Sequence, residues 1–587
     1  MMKIGKIIFA LFLLCSLLFS HAALFRSAAG TTRATPAGWR EPVRAEHAIV
    51  ASTSRLASQI GADVMRRGGN AVDAAVAVAF ALAVVYPEAG NLGGGGFMLI
   101  RFRDGKTTAI DYREVAPLKA VRNMYLDEHG NLIKGEGSST VGYRAPGVPG
   151  TVAGLEMAFR KYGSKRLTWA QHIEPARILA AEGFVLSYMN ARSLRDNQNK
   201  LGLYEDSRRT FFNGSNVYGE GERLRQPELA QTLSRIERGG AREFYQGMTA
   251  RLIADDMRRH NGLITLEDLR RYTPRERTPL HQTYRGCEVI SMPPPSSGGA
   301  VLMEMLNILE GYNISAMNPY SSEKYHLMIE AMRRAYADRA EYMGDPDFVS
   351  VPVEAMINKS YAARQRSTIN PERASSSAEI RGGHADEFRT GETTHFSIID
   401  QDGNVVANTY TLNDLFGSGV TAKGTGVLLN DEMDDFTSKP GTPNLWGVIQ
   451  GERNAIQPGK RPLSSMTPTI VLRRDGSVWF AVGARGGARI INAVLQVVVN
   501  VIDHGMNIQQ AIDAPRIHHQ WFPDTVLYEP FGLSADTISV LEHRGHKIEP
   551  AAKPQNVASA EGVMIEEGTH MRLGASDPRN DGMPVGY

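Results

Sequence analysis

The sequence predicts an α/β chain in which sheet layers are covered by helices, and three observations carry that prediction. Two hairpin signals lie in the C-terminal third, helical patterning fills residues 150–390, and a long apolar helix follows the second hairpin. In the first hairpin, Thr393 to Asp400 alternates toward Phe396, Ile398 and Ile399, Asp402-Gly403 makes the turn, and Asn404 to Leu412 returns with β-branched residues. In the second, Thr469 to Arg473 and Ser477 to Val482 flank Asp475-Gly476, and an apolar helix from about Arg489 to His504 follows Gly486-Gly487.

The remaining elements follow in order. From Glu46 to about Gly105 the chain reads as strand, helix, glycine-rich turn and strand. Asn91 to Phe97 forms that turn and Phe97 to Phe102 the last strand. The Ala-rich run Ala74 to Tyr86 is too short to span a membrane and reads as a buried helix, with Asn70 as N-cap and Asp73 three residues on. Ser322 to Met343 is the clearest helix of the charged middle section, which breaks at Pro293-Pro-Pro-Ser-Ser-Gly-Gly299. Ser375 to Glu392 is polar, without apolar periodicity, and reads as an exposed, mobile segment ahead of the first hairpin.

Length and composition place the chain among ordinary globular proteins. Its 587 residues, 42% hydrophobic and 22% charged, suffice for a large core and exclude collagen-like, coiled-coil and disordered classes. The formal charge of +2 comes from Lys3 and Lys6, so the chain beyond residue 22 is balanced, which argues against a nucleic-acid partner. Residues 393–587 hold 15 basic and 21 acidic residues, so opposite net charges face each other across position 393. Lys3 and Lys6 precede the apolar run Ile7 to Phe19 and the small-x-small site Ser20-His21-Ala22, which reads as an export signal cleaved near Ala22. Cys287 is then the one thiol remaining, so no internal disulfide forms, and no Cys/His cluster has zinc spacing.

Common catalytic motifs are absent: no G-x-S-x-G elbow, no H-E-x-x-H helix and no phosphate loop ending in G-K-[ST]. The informative stretch is Glu392-Thr393-Thr394-His395-Phe396-Ser397, where a polar segment ends at a threonine that opens a strand. Cleavage before Thr393 would place an α-amine, with an ordinary pKa of about 7.7–8.0, beside the hydroxyl it must deprotonate. One residue then supplies nucleophile and base.

An ordered set of motifs resembles the γ-glutamyltransferase (γ-glutamyltranspeptidase, glutathione hydrolase) precursors. It comprises Asn91 to Phe97, Asp111-Tyr-Arg-Glu114, Met292 to Gly299, Thr393 to Ser397, Thr409 to Asn413, Met433 to Phe436, Arg461 to Met466, Gly486-Gly487, and the end Ala575 to Arg579 with Gly586-Tyr587. The resemblance implies an α/β (α+β) fold of the N-terminal nucleophile hydrolase type, a four-layer αββα sandwich built jointly by two subunits. It implies a signal peptide at 1–22, a large subunit at 23–392 and a small catalytic subunit at 393–587, self-cleaved between Glu392 and Thr393.

It further implies that Thr393 is the nucleophile, that Thr411 assists it, and that the amides of Gly486 and Gly487 form the oxyanion hole. For the γ-glutamyl group it implies Arg113, Ser464 and Ser465 on the α-carboxylate and Asp435, Glu432 and Asn413 on the α-ammonium. Trp446 stands where many bacterial relatives have a tyrosine over the pocket. The expected donors are glutathione and related γ-glutamyl compounds, with water, amino acids or dipeptides as acceptors, no metal or cofactor, and a periplasmic or secreted location. The alternatives are a β-lactam side-chain acylase or poly-γ-glutamate hydrolase on the same fold, or an unprocessed binding protein.

Overall fold

Two seven-stranded antiparallel sheets pack face to face at the centre of the computed structural model, which describes residues 40–380, 393–552 and 557–587. The first sheet runs Val43–Ala45, Arg572–Ser576, Ser559–Ile565, Val478–Arg485, Thr469–Leu472, Cys287–Ser291 and Leu280–Tyr284. The second runs Val585–Gly586, Ile49–Ser52, Thr394–Ile399, Val405–Thr411, Gly95–Arg101, Thr107–Asp111 and Arg275–Arg277. Each sheet takes strands from both sides of position 393, so neither stretch of chain completes a sheet alone.

Helices cover the outer faces. Ala71–Val85 lies on the second sheet and is buried along its whole length, with Asn70 and Asp73 forming a reciprocal capping box at its start. Its apolar character on every side follows from being sandwiched between that sheet and the outer helices Arg55–Arg66, Thr151–Tyr162 and Trp169–Glu182. On the other side, Gly298–Leu309, Arg489–Ile502 and Ile508–Asp513 cover the first sheet. The result is the four-layer αββα sandwich expected of an N-terminal nucleophile hydrolase.

The two hairpins form close to where the sequence predicts them, Thr394–Ile399 with Val405–Thr411 and Thr469–Leu472 with Val478–Arg485. Residues 150–380 are mainly helical, but a third hairpin, Leu280–Tyr284 with Cys287–Ser291, went unpredicted. Its signal was present: Gly286 sits at φ +80° in the turn, and Val289 and Ile290 mark the strand. One expectation is corrected. Within the described part of the stretch from Ser375, Ser376, Ala378 and Glu379 are exposed as expected, but Ser377 is buried and opens a short helix to Ile380. The predicted export signal and Glu392 lie outside the described residues.

Candidate active site

The strand Thr394–Ile399 fixes the position of Thr393. Thr394 pairs with Tyr410 and His395 with Thr409, so Thr393 comes alongside Thr411 at the end of the hairpin. Alternation sends Phe396 and Ile398 into the core beneath the outer helices, while His395 and Ser397 face the other sheet. There the His395 imidazole bridges Thr409 Oγ1 at 2.8 Å and Ser397 Oγ at 2.9 Å. A Cβ on Gly483 of the opposite sheet would lie 2.3 Å from that ring, so glycine there makes room for it. Burial pushes His395 down to about 3, so the ring is neutral at physiological pH.

The glycine-rich turn secures Thr411 from the other side. Asn91 Nδ2 donates to the Thr411 carbonyl at 2.8 Å, Asn91 Oδ1 accepts from Gly94 N–H at 3.0 Å, and a Cβ on Gly94 would fall 2.1 Å from the Thr411 oxygen. The glycines therefore serve close backbone packing. Thr411 Oγ1 accepts the N–H of Asn413, which holds a positive φ of 80°.

Thr393 and Thr411 open onto a cavity that also takes Arg113, Asn413, Glu432, Asp435, Trp446, Ser464, Ser465 and Gly487 into its lining. Ten of the predicted site residues thus converge, drawn from segments up to 374 residues apart. Gly486 lies next to them in the chain at φ +130°, with Gly487 at φ +59°, both conformations that favour glycine. The helix Arg489–Ile502 starts directly behind them and aims its positive end toward the cavity side. Tyr336 Oη donates to the carbonyl of Ala488 and braces this turn from the helix Ser322–Tyr342.

Arg113 is fully buried and bridges two acids, donating from Nη1 to Glu432 Oε1 and from Nη2 to Asp435 Oδ2, while Nε donates to the Pro462 carbonyl at 3.2 Å. Burial opposes its charge, but Glu432, Asp435 and Glu114 outweigh that and raise its pKa. The motif around it is a network: Asp111 pairs with Arg277 at 2.7 Å and Arg461 at 3.3 Å, and accepts the Arg113 N–H at 3.0 Å. Three carboxyl groups crowd one guanidinium, and burial raises both Glu114, to about 8, and Glu432, against the lowering pull of Arg113.

Asn413 Oδ1 and Asp435 Oδ1 both accept from the indole N–H of Trp446, at 2.9 and 3.1 Å. Asn444, which sequence reasoning did not single out, also reaches Asp435 Oδ1 at 3.2 Å. Ser464 Oγ accepts the Met466 N–H at 3.1 Å, and its carbonyl accepts from the N–H of Ser297 at 2.8 Å and the hydroxyl of Ser297 at 2.7 Å. That contact joins the proline-rich turn to the serine pair. Arg339 is the second residue the sequence did not reveal, because on its helix it resembled a solvated charge. Among the described residues no group of three or more His, Cys, Asp or Glu side chains is arranged to hold a metal ion.

A family model described as gamma-glutamyltranspeptidase matches residues 57–587. The glutathione hydrolase proenzyme of Pseudomonas sp. (strain A14) is 48% identical over 97% of this chain and 99% of its own length. Among solved structures, Helicobacter pylori gamma-glutamyltranspeptidase is 47% identical, with a TM-score of 0.55 over 56% of this chain and 94% of that one. Cephalosporin acylase from Bacillus halodurans superposes with a TM-score of 0.82 at 27% identity, over 95% of this chain and 99% of that one.

Proposed function

Since the chain belongs to the γ-glutamyltranspeptidase family, we propose that it cuts itself before Thr393 and then transfers γ-glutamyl groups through an ester on the Thr393 hydroxyl. It is a γ-glutamyl transferase and hydrolase of glutathione and related compounds. The observation that carries the residue assignment is the convergence of Thr393, Gly487 and the Arg113–Glu432–Asp435 cluster on one cavity. A γ-glutamyl donor presents an α-ammonium and an α-carboxylate at one end, and a buried set of mixed charges suits such a zwitterion.

In the precursor, Thr393 Oγ attacks the Glu392 carbonyl. The peptide nitrogen leaves as the Thr393 α-amine, and water hydrolyses the resulting ester to the Glu392 carboxylate. In catalysis that amine accepts the Oγ proton as Oγ attacks the γ-carbonyl, Thr411 orients the hydroxyl, and the Gly486 and Gly487 amides stabilise the oxyanion. The amine returns the proton to the departing amino group. Water or an amino acid or dipeptide amine then attacks the ester and regenerates Thr393. Arg113, Ser464 and Ser465 receive the α-carboxylate, and Asp435, Glu432 and Asn413 the ammonium. Trp446 covers the cavity.

The proposed subunits are 23–392 and 393–587, and their interleaved strands favour an assembly that stays together after cleavage. The basic, apolar N-terminal sequence supports export to the periplasm, and no described helix is long and apolar enough to cross a membrane. An acylase specificity is disfavoured, because a side chain without an α-amino acid end leaves the Arg113 cluster unused. The deciding experiment is intact mass and activity on a γ-glutamyl anilide for the native chain and Thr393→Ala. Two chains with anilide release, against one inactive chain in the variant, is the expected result. A native chain that stays whole and releases nothing defeats the proposal.

A further inference from the structure

Arg113 hydrogen-bonds two carboxylates, whereas a second guanidinium in the same cavity lining hydrogen-bonds none. Arg339 is 3% exposed, on the last turn of the helix Ser322–Tyr342. Its Nε donates to Ser297 Oγ at 2.8 Å, Nη2 to Ser465 Oγ at 3.1 Å and Nη1 to Gln450 Oε1 at 3.4 Å. Every one of these acceptors is neutral. Burial lowers the Arg339 pKa, and Tyr336 and Asp435 offset that only in part, so the position is costly and an arriving anion would stabilise it.

The surrounding hydrogen bonds fix the fork and leave donors over. Ser297 gives its proton to the Ser464 carbonyl at 2.7 Å, so its oxygen can only accept from Arg339. The Ser465 oxygen accepts from Arg339 and the Ser464 oxygen from the Met466 N–H. Each of these serines therefore has its O–H left to donate into the cavity that both line. Two serine hydroxyls beside a guanidinium that hydrogen-bonds no carboxylate form a receptor for a carboxylate.

We propose that Arg339, held by Ser297 and Ser465, is a second cation for the α-carboxylate of the γ-glutamyl donor and sets the requirement for that group. This rests on the γ-glutamyl reading of the cavity. The proline-rich turn thereby acquires a role in recognition, since Ser297 within Pro293 to Gly299 aims the guanidinium.

The test compares two chromogenic anilides, γ-glutamyl and 4-aminobutyryl, which differ only in the α-carboxylate, on the self-processed native enzyme, Arg339→Gln and Arg339→Lys. A charge-assisted bond of this kind corresponds to a loss of roughly 10- to 100-fold. Arg339→Gln should lose that much kcat/KM on the γ-glutamyl anilide, through KM, and less than about threefold on the 4-aminobutyryl anilide. Arg339→Lys, which keeps charge but not the fork, should fall between and serves if the Gln variant does not process. Equal losses on both substrates would reduce Arg339 to a brace for the serine turn and overturn the proposal, as would no loss on either. The native enzyme separately tests the underlying reading: if it does not prefer the carboxylate-bearing anilide, the γ-glutamyl cavity itself is wrong.

Discussion

The indole of Trp446 lies against Gly487, so close that a Cβ on Gly487 would fall 2.8 Å from Cε3 and 2.9 Å from Cδ2. The residue proposed to cover the cavity and the residue proposed to offer an oxyanion donor are therefore in direct contact. Gly487→Ala would meet this ring and also strain a backbone at φ +59°. Either the indole or the amide must shift, and displacing one oxyanion donor costs about 10²- to 10³-fold in kcat. Steady-state kinetics of Gly487→Ala on a γ-glutamyl anilide should show that loss. Shortening the ring in Gly487→Ala/Trp446→Ala should recover part of it. A double variant no better than the single one would mean that backbone strain, not the ring, is responsible.

Arg113 offers a sharper test of geometry than of charge. Its two Nη groups reach two different acids while Nε holds the Pro462 carbonyl, a three-way span that a lysine ammonium cannot reproduce. Arg113→Lys should leave self-cleavage intact on a denaturing gel, because Thr393 lies on another element, and should lower kcat/KM on the γ-glutamyl anilide by roughly 100-fold, in line with a cost of about 3 kcal/mol for a broken buried pair. An unchanged kcat/KM would remove Arg113 from the binding set.

Local features were legible in the sequence and long-range ones were not. The hairpin opening at Thr394 announced itself through β-branched alternation and the Asp402-Gly403 turn, where Gly403 holds φ +86°. The Asn70–Asp73 capping box was equally visible. Arg333, Arg334, Asp338 and Arg339, by contrast, look like the solvated face of a helix, yet all four are buried. Their partners lie far along the chain: Asp524 for Arg333, Thr368 for Arg334, Ser297 for Arg339. Periodicity reports which side of a helix is polar, not whether another polar surface will cover it. The reading of residues 375–380 as loose failed for the same reason, since Trp521 and Asp524 that hold them sit about 145 positions away.

Glu561 makes stability depend on pH. It is buried on the strand Ser559–Ile565, and burial pushes it up to about 8 against opposing hydrogen bonds from Ser576 and Asn580, with Asp577 raising it further and Arg485 lowering it. In the unfolded chain a glutamate ionises near about 4.3. Between these values the unfolded state releases a proton that the fold keeps, so this contribution is fully present below about pH 4.3 and is lost as pH rises through 8. Glu561→Gln retains an acceptor for Asn580 Nδ2, now at 2.8 Å, and carries no charge to release. Its melting temperature should exceed that of the native enzyme by a margin that widens from pH 5 to pH 8 and then levels. Parallel melting profiles across that range would exclude an elevated Glu561.

The chain leading toward the cleavage point is clamped by both halves of the molecule. Ser377 gives its N–H to Asp524 Oδ2 at 2.8 Å, its hydroxyl oxygen accepts from Arg333 Nη1 at 2.6 Å, and its carbonyl accepts from Trp521 Nε1 at 3.0 Å. Glu330 takes the Ser375 N–H at 3.0 Å two residues earlier. Burial opposes the charge on Asp524, but the His519 hydrogen bond and the paired Arg333 outweigh that and hold its pKa well below the usual carboxylate range. Ser377 lies before position 393 and Trp521 and Asp524 beyond it, so this anchor joins the two proposed subunits. Asp524→Asn weakens it without touching the cavity, and Arg333 keeps Glu330 at 3.5 Å, so the fold should survive. A hydrogen bond to a charged group contributes about 1.5–3 kcal/mol, and the neutral amide gives up most of that. Asp524→Asn should therefore lower the melting temperature of the processed enzyme, followed by thermal unfolding, while the enzyme turns over the γ-glutamyl anilide at the native rate. An unchanged melting temperature would show that the clamp does not hold the subunits together, and a loss of turnover would show that it supports the site as well.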